Sequence, residues 1–116
     1  MKQEAFTMSL LFDTYGALLT EKQQTYFDLY YNQDLSLAEI AEQEGISRQG
    51  VHDAISRSEA LLAAFERVTG CVAREQKLRH ALAAITAEAQ PLLQAGDPAP
   101  RQGAQRILAA VDSLKE

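Results

Sequence analysis

Apolar residues recur along the chain at spacings of three and four, and no run alternates apolar with polar residues as a half-buried strand would. The pattern therefore predicts helices from end to end. A first segment over residues 4–18 places Phe6, Leu10, Leu11, Tyr15, Leu18 and Leu19 on one broad face. Thr20 with Gln23 forms a capping-box pair, predicting a second helix over about 21–32 with the stripe Tyr26, Phe27, Leu29 and Tyr30. Ser36 with Glu39 repeats the signature and opens a short third helix, 37–44, that Gly45 stops. Ser47 then caps a long helix from Arg48 to Thr69, with Val51, Ala54, Ile55, Leu62, Phe65 and Val68 as its stripe and Gly70 as its stop.

A fifth helix, about 72–90, carries Leu78, Leu82, Ile85 and Ala89, and Pro91 must kink or end it. The segment GDPAP, 96–100, reads as the clearest breaker in the chain. A sixth helix over about 102–114 presents Ile107, Leu108, Val111 and Leu114. No period of 20 to 50 residues repeats, which argues against a solenoid.

The expected architecture is an all-α bundle containing a helix-turn-helix, over 1–70 with the motif at 37–57, followed by a C-terminal helical extension over 71–116. The extension's apolar supply (Leu78, Leu82, Ile85, Leu92 and Leu93 before the breaker, Ile107, Leu108, Val111 and Leu114 after it) exceeds what two free helices could keep in water. It must pack on the first lobe, on itself, or on another copy, and a homodimer is the expected partner. The 116 residues suffice for one real core. No stretch approaches the roughly 18 consecutive apolar residues that a membrane span needs. MKQEAF lacks a basic head before an apolar block, so no signal peptide is expected. The single cysteine, Cys71, rules out an internal disulfide framework. A cytoplasmic protein fits all of these.

Charge alters the picture. Eleven basic side chains face sixteen acidic ones, for a net charge of −5, so the bulk charge advertises no nucleic acid. The deficit is also local. Residues 1–58 hold four basic side chains (Lys2, Lys22, Arg48, Arg57) against nine acidic ones, while 59–116 hold seven of each.

The stretch from Leu37 to Ile55 has helix-turn-helix spacing. Ile40 and Ile46 are placed to flank the turn and bury themselves between two helices. Ala41 is small enough for the second helix to cross close above it. Gly45 takes the left-handed conformation at the turn, Ser47 caps the second helix, and Val51 anchors it. The face this leaves exposed carries Arg48, Gln49, His52, Asp53, Ser56 and Arg57. Arg48 suits a guanine or a phosphate, and Gln49 an adenine. Asp53 would repel phosphates unless it accepts from a cytosine amino group. Gly50 is unfavourable within a helix by about 1 kcal/mol relative to alanine.

Residues 17–66 resemble the YlxM/p13 family of small bacterial proteins (uncharacterised protein family 0122). The strings that carry the likeness are LTEKQ at 19–23, YFDLYYNQDLSLAEIAE at 26–42 and ISRQ at 46–49. Gly50 and His52 depart from the family pattern, where alanine and tyrosine are usual. The family's helix-turn-helix is similar in turn to region 4 of sigma-70 factors, which binds promoter DNA. Its members lie beside genes for the signal recognition particle GTPase and its receptor. The resemblance thus implies a regulatory or accessory role in protein targeting, with Arg48, Gln49, His52, Ser56 and Arg57 as the nucleic-acid contacts and signal recognition particle components as partners. Given the acidic lobe, DNA binding is expected to be weak, with RNA as another target. The alternative is a protein–protein adaptor that contacts a targeting GTPase or a polymerase subunit without touching DNA.

Other candidates read more plainly as structure. Tyr26, Phe27, Tyr30 and Tyr31 could stack bases, but helical spacing and the lack of basic neighbours favour core packing, with Tyr31 as the one that exposes its hydroxyl. His52 and His80 have no His or Cys at ligand-like spacing, so no metal is expected. Cys71 reads as a semi-buried bystander, and Glu39, Glu42 and Glu44 as a solvated face. No phosphate loop or catalytic set emerges; neither a cofactor nor enzymatic activity is expected.

Overall fold

The computed structural model describes residues 4–115, and among them there are helices and no strand. In order these are α1 (Ala5–Tyr15), a 3-10 turn (Gly16–Leu18), α2 (Glu21–Tyr31), α3 (Leu37–Glu44), α4 (Arg48–Thr69), α5 (Cys71–Ala89), a second 3-10 turn (Gln90–Gln94) and α6 (Pro98–Ser113). The fold is all-α. The chain forms two compact units, one running to Val72 and the other beginning at Ala73.

In the first unit α4 is the central helix, packed against α1, α2 and α3. Phe27, Ile40, Val51 and Leu62 are fully buried at its heart. Phe12, Phe27 and Tyr31 form a stack with ring centroids 4.6 and 4.4 Å apart, and Tyr30 meets Tyr31 edge-on at 5.4 Å. The aromatic cluster is thus core packing. Tyr31 is a correction: it is buried, and its hydroxyl donates to the Glu59 carboxylate of α4.

Both expected capping boxes are present. Gln23 N–H donates to Thr20 Oγ1 at 3.1 Å while Thr20 N–H donates to Gln23 Oε1 at 2.9 Å. Ser36 and Glu39 exchange the same pair at 3.1 and 2.8 Å. Each satisfies two amides that the first helical turn would otherwise leave open.

The first segment differs in detail from its sequence pattern. Leu11, Tyr15 and Leu19 are buried as expected, but Phe6 and Leu18 are exposed, and Met8 occupies the core. The switch from α-helix to 3-10 turn at Gly16 changes the angular phase, turning Leu18 outward and Leu19 inward. Gly16 lets the Phe12 ring lie close at that switch: a Cβ there would sit 3.0 Å from the ring, which would have to yield by a few tenths of an ångström. On α4, Val68 is also a correction: it is 87% exposed, while Ser58 is fully buried and returns its hydroxyl to Ala54 O at 2.9 Å.

Gly70 ends α4 in the left-handed conformation, φ 63°. Around it, Tyr15 of α1 donates its hydroxyl to Glu66 Oε1 at 2.5 Å and bonds Thr69 Oγ1, and the same Glu66 oxygen accepts the Val72 N–H at 3.1 Å. Burial and the Glu66 carboxylate hold the Tyr15 phenol above its ordinary pKa, so it keeps its proton and donates. Cys71 is exposed rather than semi-buried, because its neighbour Val72 takes the position against the core.

In the second unit Leu82 and Ala89 of α5 and Ala104 and Val111 of α6 are buried. The expected stripe residues Leu78, Ile85, Ile107 and Leu114 are instead substantially exposed. The GDPAP segment is only in part a breaker: α6 starts at Pro98, four residues earlier than the pattern suggests. Asp97 caps Ala99 N–H at 3.2 Å, and Pro98 and Pro100 fall in the first turn, where no amide is needed for the helix ladder.

Candidate nucleic-acid interface

The helix-turn-helix is built from α3 and α4. Gly45 ends α3 with φ 71°, a left-handed conformation that costs any other L-residue energy. The Ile46 N–H returns to Ala41 O at 3.1 Å, closing a Schellman-type turn. Ile40 and Val51 are completely buried and Ala41 nearly so, which holds the two helices together. Ile46 departs from expectation: at 38% exposed, it lies over the turn rather than between the helices. Its Cδ1 would sit 3.6 Å from a Cβ placed on Gly50.

Ser47 caps α4, its Oγ accepting the Gly50 N–H at 2.9 Å. Gly50 therefore stands at the cap, in the first turn of α4 and not in the helix interior. From that end one strip of α4 is open to solvent, and Arg48, Gln49, His52, Asp53, Ser56 and Arg57 all lie on it. Val51 and Ile55, buried on the opposite side, fix the strip's orientation.

Hydrogen bonds join the side chains of the strip. Gln49 Nε2 donates to Asp53 Oδ1 at 2.9 Å, and the same oxygen lies 3.2 Å from His52 Nδ1. The His52 hydrogen bond, then that from Gln49, then the nearby Arg57 charge hold the Asp53 carboxyl below its ordinary pKa. Asp53 thus stays ionised and engages two of the side chains expected to meet a ligand. Arg48 and Arg57 form no ion pair among the described residues and flank this cluster.

Beside the strip, His52, Ser56 and Glu59 border a cleft of about 20 Å³ with Tyr30, Leu37 and Ile55. It has room for about one water molecule. The chemistry available here is contact by a convex helix face, with two guanidinium groups for anionic oxygens and an amide for a base edge or a peptide.

On the adjoining element, Glu39, Glu42 and Glu44 of α3 are exposed, as expected of a solvated face. Glu39 is held below its ordinary pKa by the Ser36 backbone N–H and then by the Ser36 side chain. Among the described residues no helix is long and apolar enough to cross a membrane.

Comparison with known proteins places this geometry in a family. Residues 2–95 match the model of UPF0122, described as "Putative helix-turn-helix protein, YlxM / p13 like". The chain is 46% identical over 104 residues to a UPF0122 protein of Symbiobacterium thermophilum, covering 90% of this chain and 91% of that one. It is 48% identical over 82 residues to one of Thermoanaerobacter sp., covering 71% and 70% of the two chains. With one of Clostridium kluyveri it shares 58% identity over 64 residues, 55% of this chain and 58% of the other. With the α3–turn–α4 geometry in place and a match across most of its length, the chain belongs to the UPF0122 (YlxM/p13-like) helix-turn-helix family.

Proposed function

We propose that this protein is a non-enzymatic, cytoplasmic regulatory or accessory factor that presents the first turns of α4 to nucleic acid. The observation that carries the reading is the exposed strip from Arg48 to Arg57 on a helix anchored by Val51 and Ile55 and capped at its outer end by Ser47. In this reading Arg48 and Arg57 contact phosphates. Gln49 and His52 reach base edges once they leave Asp53, and Ser56 adds a hydroxyl contact. The N-terminal end of α4 contributes its unsatisfied amides and dipole to the same anionic ligand.

Two guanidinium groups supply few phosphate contacts, so a single copy binds duplex DNA weakly, and RNA draws on the same residues. The chain acts as a homodimer, which doubles those contacts. By the resemblance to the YlxM/p13 family, the process served is protein targeting by the signal recognition particle.

Titration of a fluorescent duplex at two salt concentrations tests the reading. Wild type should lose affinity steeply with salt, and Arg48→Ala should flatten the log–log slope by about one phosphate contact. Equal affinities for wild type and variant at both salts would remove Arg48 from the interface.

The acidic surroundings favour a second reading. Asp53 sits on the strip itself, and Glu39, Glu42 and Glu44 lie on the neighbouring helix, so the same surface suits a basic protein surface. The chain would then be an adaptor for a targeting GTPase or a polymerase subunit. Absence of salt-sensitive retention on DNA, together with saturable binding of a purified targeting GTPase, would decide for it.

A further inference from the structure

Leu78, Ile85, Leu92, Ile107 and Leu114 are 43–60% exposed in the second unit. Their arrangement is regular. On α5 and the turn after it, Leu78, Ile85 and Leu92 recur every seven residues, beside the buried positions Leu82 and Ala89. On α6, Ile107 and Leu114 are also seven apart, beside buried Ala104 and Val111. Residues seven apart lie nearly above one another on a helix, drifting by about 20° per heptad.

The two rows face the same side. Leu114 borders a groove of about 800 Å³ with Leu78 and Leu82, and Ile107 borders one of about 330 Å³ with Ile85 and Leu92. The C-terminal end of α6 therefore lies beside the N-terminal half of α5, and the pair is antiparallel. For antiparallel helices, rows displaced in the same angular sense from the buried contact line emerge on one face. This is the face that a helix pair in a four-helix bundle turns towards the opposite pair.

We propose that a second copy of this chain covers this face, with α5 and α6 of the two copies forming a four-helix bundle. The inference builds on the paired form proposed above and supplies its surface. It does not depend on what α4 contacts. Two features identify the occupant as a second copy. The α5 row is symmetric about Ile85, so a two-fold axis there sets Leu78 of one copy towards Leu92 of the other, as an isologous interface requires.

Ala81, Ala84, Gly103 and Ala110 flank the rows and let backbones approach closely. The five side chains expose about 400 Å² of apolar surface per copy; with the small residues between them, two copies bury about 1,200 Å², where stable interfaces begin.

Sedimentation equilibrium of the full chain, without nucleic acid, tests the proposal. Wild type should be a dimer at about 50 μM, and Ile85→Glu or Ile107→Glu should weaken the dissociation constant at least tenfold while far-UV circular dichroism keeps its helical signal. A wild type that stays monomeric overturns both the paired form and this surface, leaving the face to another protein or to its own first unit. A wild-type dimer that both glutamate variants preserve overturns the surface alone. Should a glutamate variant lose helicity, Ile85→Ala and Ile107→Ala replace it, and an unchanged dissociation constant in both is equally fatal. As a positional check, Ile85→Cys in a Cys71→Ser background should form a disulfide-linked dimer on mild oxidation, and Gln76→Cys, exposed on the opposite side of α5, should do so far less.

Discussion

Gln49 and Asp53 are joined across one turn of α4 by a 2.9 Å hydrogen bond from the amide Nε2 to the carboxylate Oδ1. The bond lies on the solvent-exposed face of α4. Its geometry has an electrostatic consequence. The carboxylate that orders Gln49 and His52 is also the one negative charge between Arg48 and Arg57 on that strip. Asp53→Ala is therefore expected to raise affinity for duplex DNA about two- to fivefold at low salt, a gain that shrinks as salt screens it. Fluorescence anisotropy at two ionic strengths reads it out. Weaker binding by the variant would instead identify Asp53 as a direct contact, such as an acceptor from a cytosine amino group.

The Tyr31–Glu59 hydrogen bond ties α2 to α4 next to the same strip. Tyr31→Phe keeps the ring stack with Phe27 but leaves the carboxylate without that donor. Urea denaturation should show a loss of about 1–2 kcal/mol with an unchanged slope. A loss below about 0.3 kcal/mol would mean that water replaces the phenol without penalty.

The two glycines of the motif should respond in opposite directions. Gly45 has open space around its missing Cβ but a φ of 71°, so Gly45→Ala should destabilise by about 1 kcal/mol through the backbone alone. Gly50 is helical, and a Cβ there meets Ser47 Oγ at 3.1 Å. The serine is exposed and can yield by a few tenths of an ångström, so Gly50→Ala should stabilise by about 0.5 kcal/mol through helix propensity. Melting temperatures of the two variants, compared with wild type, check both signs.

Acid should weaken the fold in part through identifiable carboxylates. Asp28 is held below its ordinary pKa by the Asn32 and Gln33 side-chain amides, at 2.7 and 2.9 Å. Glu39 and Asp53 are depressed for the reasons given above. A carboxyl whose folded pKa lies below its unfolded value stabilises the fold at higher pH, and that stability is lost as pH falls through the folded value. Stability from these groups should thus be flat above about pH 5 and decline below about pH 4. Asp28→Asn and Glu39→Gln should each make the acid limb shallower in urea titrations across that range. An unaltered limb in both would place the acid sensitivity elsewhere.

Helix limits were legible wherever the signal was local. Thr20 with Gln23, Ser36 with Glu39, Ser47, Gly45 and Gly70 act on backbone groups within four residues: α2, α3 and α4 begin, and α3 and α4 end, where those residues say. GDPAP taken as one breaker hides the start of α6, which lies inside it at Pro98. Aspartate directly before proline is itself a helix-start signal, and Asp97 uses it. Burial was less legible. Phe6, Leu18 and Val68 fit an apolar stripe, but which apolar residues find partners depends on a phase change at Gly16 and on how neighbouring helices pack. Of the site, the exposed strip on α4 followed from the motif. Its hydrogen-bonded centre was within reach of spacing, since Gln49 and Asp53 are four apart. Tyr31 meeting Glu59, 28 residues along the chain, was not.

The Val72 amide bonded to Glu66 has a practical consequence. The covalent boundary at Gly70 looks like the natural place to divide the protein, yet the cooperative boundary lies beyond it. A fragment ending at residue 70 forfeits the Val72 side chain from the core and the amide that shares Glu66 with Tyr15. One that carries a further turn of α5 keeps both. In hydrogen exchange, the Val72 amide should accordingly open with the first unit, although by sequence it belongs to the helix that leads into the second.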